Sequence, residues 1–381
     1  YCAGAGIHPA LTLPVSLDVG TNNVSLLDDH LYLGWPHRRL RGDEYYAFIE
    51  EFAAAVAEVF PDALLQWEDF RKDRALTILD RYRDRLLSFN DDIQGTGAVC
   101  LAGIRAAMRA MGGRLEKQRF VIHGAGAAGL GIARQIRAAL ARAGGDPGAV
   151  LALDSRGLIV AGDKITDDYK QELAVPAERA AELGCGKGHH DLLSVVRGFR
   201  PTVLVGTSGQ PGAFNREIIE AMAAGCEQPV IMPFSNPTDY SEARPEEVMR
   251  WTSGKALVAT GSPFSDVEYE GRRFRIGQGN NVFIFPGLGL GALLSGATRV
   301  SDAMIGAAAD AVADAVTADE LAAGMLYPAV RRLRDVCHRV AAAVMRAASR
   351  EGNGAALTGE DIDSRIADAV WQPEYRRYVA E

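Results

Sequence analysis

The sequence predicts an α/β protein with a doubly wound parallel-sheet dinucleotide-binding domain, a second α/β domain, and C-terminal helices. Three observations carry that prediction. Short apolar runs alternate with helical stretches, as parallel strands joined by crossover helices require. A glycine-rich turn, Gly124-Ala125-Gly126-Ala127-Ala128-Gly129, follows one such run and opens a helix. The 381 residues are 48% hydrophobic and 24% charged, which suits a globular chain long enough for more than one core.

From the N-terminal side, residues 11–23 read as a strand with a Gly-Thr-Asn-Asn turn. Residues 43–59 have helical periodicity, with Phe48, Phe52, Val56 and Val59 on one face. Residues 63–67 form a short apolar strand ending at Glu68-Asp69, and residues 96–111 a helix entered through Gly95-Thr96. A strand at 120–123, a helix at 130–143, a turn at 144–148 and a strand at 150–153 make a βαβ unit around the glycine turn. Further buried strands are expected at 203–205, 230–232 and 256–258. Residues 276–298 carry no charge, but Gln278, Asn280, Asn281 and Pro286 favour a buried strand-turn-helix over a membrane span. Residues 301–348 are Ala-rich and helical, and 350–354 read as a linker into a C-terminal tail. The expected domains are 1–90 and 281–350 for the catalytic part, 91–280 for the dinucleotide part, and 351–381 for the tail.

The formal net charge of -8, with no basic run, argues against a nucleic-acid partner. Cysteines 2, 100, 185, 226 and 337 are odd in number and scattered, which points to a reducing, cytoplasmic setting. No signal peptide is visible, and the opening Tyr1-Cys2-Ala3-Gly4 reads as the start of a fragment.

The three glycines of the turn have separate tasks. Gly124 permits the tight turn, Gly126 lets the backbone approach a pyrophosphate, and Gly129 lets the helix pack on the strand. The helix N-terminus offers free N–H groups to phosphates. Asp154, ending the next strand, suits ribose hydroxyls. Its charge favours NAD, while Arg156 and Lys170 leave NADP possible.

Two acidic pairs stand outside the solvated helices: Glu68-Asp69 after a strand, and Asp91-Asp92 before a Gly-Thr turn. Converging carboxylates would bind a hard divalent cation through oxygen. Adjacent acids otherwise need a shared proton, or serve as helix N-terminal caps. Cys185-Gly-Lys-Gly-His189-His190 looks like a soft-metal cluster but has no completing ligand nearby, and reads as a solvated loop.

Several long motifs then resemble the malic enzyme family. They are Leu13-Pro14-Val15-Ser16-Leu17-Asp18-Val19-Gly20-Thr21-Asn22-Asn23, Gln66-Trp67-Glu68-Asp69-Phe70 and Phe89-Asn90-Asp91-Asp92-Ile93-Gln94-Gly95-Thr96. Phe234-Ser235-Asn236-Pro237-Thr238, Ala259-Thr260-Gly261-Ser262-Pro263-Phe264 and Gln278-Gly279-Asn280-Asn281-Val282-Phe283-Ile284-Phe285-Pro286-Gly287 follow in the family's order. The resemblance implies oxidative decarboxylation of L-malate to pyruvate and CO2, with NAD or NADP and Mn2+ or Mg2+. It implies metal ligands Glu68, Asp69 and Asp92, with Asp91 in the catalytic network beside the general base. It places Asn236 and Asn281 on the substrate carboxylates. Gly124, Gly126, Gly129 and Asp154 fall on the dinucleotide, and Gly206, Ser208, Gly209 and Asn236 on its nicotinamide side. It also implies a homodimer or homotetramer. The family's catalytic Lys and Tyr and a substrate Arg would lie upstream of Tyr1, and neither His8 nor His37 is placed to replace them. Two alternatives stay open: a malolactic enzyme releasing lactate, and a non-catalytic module binding a nucleotide or acyl ligand.

Overall fold

Strand pairing explains how distant acids come together. The computed structural model describes residues 1–163, 165, 167–185, 190–375 and 379. Strand β1 (Leu65–Trp67) pairs in parallel with β2 (Ser88–Asn90), Trp67 lying opposite Asn90. Both strands therefore end at the same level. Glu68-Asp69 and Asp91-Asp92 leave them side by side, although more than twenty residues apart in sequence.

The main sheet is built from β3 (Phe120–His123), β4 (Val150–Asp154), β5 (Gly157–Leu158), β6 (Val203–Gly206), β7 (Val230–Pro233) and β8 (Leu257–Thr260). After a hairpin of β9 (Val267–Tyr269) and β10 (Arg272–Phe274), β11 (Gly277–Gln278) completes it. The order is β11-β8-β7-β6-β3-β4-β5, parallel throughout except for β5. β3 and β4 lead one way and β6, β7 and β8 the other, so the strand order reverses between β3 and β6. That is where a doubly wound sheet opens a ligand crevice at its strand ends. The strands read as unbroken apolar runs because helices cover both faces.

Helix Ala127–Arg142 buries Ile132, Ile136 and Leu140 along one face, each contributing about 2 kcal/mol of hydrophobic stabilisation. Helix Thr96–Met111 is buried along nearly its whole length and ends at Gly112, whose φ of 63° suits glycine. The uncharged stretch forms β11 and helix Phe285–Ser295 inside the core, and no described helix is long and apolar enough to cross a membrane.

Four expectations are corrected. Residues 12–23 form no strand, since Pro14 interrupts them and Leu11, Leu13 and Val15 are exposed. Only loose backbone bonds from Thr21 to His37 and from Leu40 to Val19 hold them. Helix Gly42–Val59 is turned from its expected face: Tyr45, Ile49 and Ala53 are buried and Val59 is exposed. Tyr45, Ile49 and Ala53 pack with Trp67, Ile78 and Tyr82, while Phe52 meets Trp67 edge-on at 6.1 Å. The Ala-rich stretch is divided into Asp302–Ala315, Ala318–Ala322 and Leu333–Glu351, with Thr317 capping the middle piece. Residues 350–354 are no linker. Asn353 is buried, accepts from the Thr298 backbone and hydroxyl, and donates to the Arg299 carbonyl. The tail then folds as helix Gly359–Ala369, burying Ile362 and Ile366.

Candidate active site

The acids occupy a single turn of unusual geometry. Asp91–Gly95 winds as a π-helical turn ahead of helix Thr96–Met111. Asn90 caps it, its side-chain oxygen accepting from the Ile93 N–H at 2.9 Å, while Gln94 Oε1 accepts from the Asn90 N–H at 2.9 Å. The acids are therefore not the cap. Such bulges widen a helix locally and are frequent at functional sites. A Cβ at Gly95 would stand 1.9 Å from Asp91 Oδ1, so only glycine leaves that carboxyl its place.

Asp91 is buried, Asp92 half-buried, and Glu68 and Asp69 lie at the exposed rim. Asp92 Oδ2 accepts from the Asp69 N–H at 3.0 Å, and Asp69 takes a left-handed φ of 61°. Few residues other than glycine, asparagine or aspartate adopt that conformation without strain. Glu68 accepts from Gln66 Nε2 at 2.5 Å, and the half-buried Tyr1 hydroxyl donates to Gln66 Oε1 at 2.5 Å. Asn281 Nδ2 donates to Asp91 Oδ2 at 2.8 Å and also reaches the Asp91 carbonyl and Thr96 Oγ1.

The charges repel. Burial pushes the Asp91 carboxyl up to about 7, the Asn281 hydrogen bond opposing and the Glu68 and Asp92 charges adding to the shift. Asp92 is raised by desolvation, against the Asp69 N–H and with the Asp69 charge. Glu68 is raised by desolvation too, against Gln66 and with the Asp92 and Asp69 charges. Asp91 Oδ1 is buried without a partner. Among the described residues, no three His, Cys, Asp or Glu side chains are drawn closely enough together to enclose a metal ion. The donor set itself fits a hard divalent cation: oxygens only, mutually repelling, with one buried oxygen unused.

The dinucleotide loop is the opposite case. Gly124, at φ 118°, lies against the loop after β6, where a Cβ would meet the Thr207 carbonyl group at 2.5 Å. Thr207 Oγ1 donates to the Gly124 carbonyl at 2.8 Å. A Cβ at Gly129 would stand 1.8 Å from that same carbonyl, while nothing lies within 4 Å of one at Gly126. Gly126 is thus open to an approaching ligand, and Gly124 and Gly129 pack the loop. The helix begins at Ala127, three residues earlier than expected, so Gly129 sits inside its first turn.

At the end of β4, Asp154 accepts from Lys170 Nζ at 2.6 Å and from the Arg156 N–H at 2.8 Å. Burial raises its pKa, but these contacts outweigh it and hold the carboxyl below its ordinary value. On the far side of the crevice, Ser208 and Gly209 follow β6, and the exposed Asn236 follows β7. Glu242, wholly buried, binds Ser208 and Ser235.

Besides side-chain contacts, the two halves approach backbone to backbone. A Cβ at Gly131 would be 2.0 Å from the Ile93 carbonyl, and one at Gly97 would be 2.7 Å from the Gly131 carbonyl. Gln66, Tyr1, Glu242, Gly97 and Gly131 thus belong to the site although the sequence reading gave them no role. Gln66 stands inside one of the quoted motifs, Gly97 directly after another, and Glu242 close after the Ser-Asn-Pro-Thr motif. Of the suspected soft-metal loop, Cys185 is buried, so a fully solvated loop is corrected there. Its residues 186–189, including His189, lie outside the described residues.

Comparison with known proteins agrees with this layout. The family description "Malic enzyme, NAD binding domain" matches residues 93–349, and "Malic enzyme, N-terminal domain" matches residues 1–83. The chain is 47% identical over 384 aligned positions to an NAD-dependent malic enzyme of Pectobacterium carotovorum, covering 99% of this chain and 68% of that one. With the NAD-dependent malic enzyme of Acinetobacter baylyi the identity is 44%, with the same coverages. Among solved structures, the malic enzyme of Pyrococcus horikoshii superposes with a TM-score of 0.65 at 26% identity, covering 87% of this chain and 71% of that one. The Entamoeba histolytica malic enzyme gives a TM-score of 0.69 at 24% identity, covering 85% of this chain, which spans 63% of its length; that likeness concerns the fold.

Proposed function

The chain belongs to the malic enzyme family, and from that premise we propose that its two half-sites carry out NAD-linked oxidative decarboxylation of L-malate with a divalent cation. The observation that carries this reading is the packing of the acid turn, with Asp69 bonded to Asp92, against the glycine-loop helix at the Gly131–Ile93 contact. In the reaction, hydride leaves C2 of malate for the nicotinamide ring and the C2 hydroxyl loses its proton. The C4 carboxylate departs as CO2, and the enol is protonated to pyruvate. Glu68, Asp69 and Asp92 would hold Mn2+ or Mg2+. Such an ion, when bound, polarises the C2 oxygen and stabilises the enolate charge.

Asp91 is the buried neighbour whose carboxyl, poised near 7, tunes proton transfer. Asn281 fixes its Oδ2, and its amide would also face a substrate carboxylate, as would Asn236. Gly124, Gly126 and Gly129 would cradle the pyrophosphate and Asp154 the ribose. Gly206, Ser208 and Gly209 would flank the nicotinamide. Asp154 supports NAD over NADP through charge repulsion of a 2′-phosphate, with Lys170 partly offsetting it.

Lys72, the lysine closest in sequence to the acids, is paired with Asp167 and is not free to serve as the base. All five cysteines are free thiols, consistent with a cytoplasmic setting, and self-association as a dimer or tetramer accompanies the reading.

The test is product analysis with malate, NAD and Mn2+, together with calorimetry of Mn2+ binding. Mn2+ binding that Asp92→Ala abolishes supports the cation site; unchanged binding in that variant rejects it. Pyruvate with free NADH is the expected product, and lactate without NADH would make the chain a malolactic enzyme.

A further inference from the structure

We infer that Glu242 is a positioning residue for the nicotinamide half of the cofactor crevice, a deepening of the dinucleotide reading above and dependent on it. It is wholly buried, yet the hydrogen bonds of its carboxyl all reach the two loops that leave adjacent strands at the crevice, while His123 faces it from β3. Oε1 accepts from the Ser208 N–H at 2.7 Å, the Ser208 hydroxyl at 2.9 Å and the Ser235 hydroxyl at 2.6 Å. Oε2 faces the Ser235 N–H at 3.4 Å. The Ser235 hydroxyl in turn accepts from the Gly209 N–H at 2.9 Å. One carboxylate therefore ties the segment after β6 to the segment after β7.

The fit is tight on every side. A Cβ at Gly206 would lie 2.5 Å from the Glu242 carboxyl carbon, so the strand end is glycine where the carboxylate passes. Thr207 is bonded to the Gly124 carbonyl on the opposite flank. The loop after β6 is thus held between the phosphate-loop glycine and Glu242, and has no other register. Because the strand order reverses between β3 and β6, the half holding Asp154 takes one nucleotide and the β6–β7 half the other.

The chemistry requires an acceptor at this place. Four donors converge on the Glu242 carboxyl, three on Oε1 and one on Oε2. An amide with its oxygen at the Oε1 position keeps the three but turns N–H groups toward the Ser235 N–H, and with the reverse orientation it loses all three. A carboxylate is therefore matched to its loops better than its amide isostere.

The test separates the two halves of the cofactor. Calorimetry measures binding of NAD, and of ADP-ribose, which lacks the nicotinamide, to wild type and to Glu242→Gln. NAD binding is expected to weaken about tenfold while ADP-ribose binding stays within about twofold, since an unsatisfied buried donor costs about one factor of ten. Equal weakening of both ligands, or no weakening of NAD, overturns the inference. Ser235→Ala, which keeps the charge and removes one donor, is expected to cost NAD about fivefold selectively. It carries the test alone if Glu242→Gln fails to fold, and an unselective or absent loss overturns the inference. Wild type binding neither ligand rejects the dinucleotide reading itself, a result distinct from a failure of Glu242 to discriminate.

Discussion

The glycine loop and the acid turn are built on contrasting principles, although backbone contact joins them. Around Gly124 the hydrogen bonds fix the loops: Thr207 holds the glycine loop, Glu242 holds the segment beyond it, and Gly126 and Gly209 are left open. Around Asp91 the groups are unsatisfied. One oxygen has no partner, and three carboxyls are raised by burial and by each other. The first region is finished by folding. The second stores repulsion that a positive charge would relieve, as sites that act on charge often do.

The most severe way to break this contrast is to crowd the finished region. Gly129→Val would force a side chain into the Gly124 carbonyl, 1.8 Å from an added Cβ. It is expected to abolish NAD binding in calorimetry while leaving Mn2+ binding at the acids. Wild-type NAD affinity in this variant would show that the loop is not fixed by packing.

A smaller effect sharpens the other side. Asp91 is raised from 3.8 to about 7, so the folded, metal-free chain binds more protons here than the unfolded chain between those values. Its contribution to stability is full below the unfolded pKa and is lost as pH rises through 7. His123 and His338, lowered by burial, act in the opposite direction, so the comparison is made against Asp91→Asn. Relative to that variant, wild type is expected to lose about 2 °C of melting temperature between pH 6 and pH 8. Mn2+ at pH 8 should restore much of the loss. Parallel melting curves for the two proteins would remove the stored repulsion from the account.

The smallest expected change lies at the edge of the finished region. Asp154→Asn removes the charge that Lys170 grips and is expected to weaken NAD about fivefold while narrowing preference over NADP. An unaltered NAD-to-NADP ratio would move the discrimination elsewhere.

Much of this was legible in the chain because its causes are local. Helix Thr96–Met111 announces itself by composition and by the stop at Gly112, and β3 by an apolar run ahead of a glycine turn. The acids were legible as isolated pairs beside apolar residues. What stayed hidden depends on distant partners. Asn353 looks like part of a loose Gly-rich link until Thr298 and Arg299, more than fifty residues earlier, take up its amide. Glu242 looks like a surface acid until two loops close over it. Residues 11–23 alternate like a strand, but alternation promises a pleated face only where something covers it, and here Leu11 and Leu13 face outward.

At the close approach of Gly131 to Ile93 there is no side chain to adjust. Side chains can change rotamer to absorb a small error, but two backbones in contact cannot. If the acids hold the hydride donor and the glycine loop holds its acceptor, their separation is machined into the main chain like the gap of a fixed calliper. Redesign of either half therefore inherits the other's dimensions. At this point a bulkier cofactor or a displaced metal presses on main chain, not on a side chain that can turn aside.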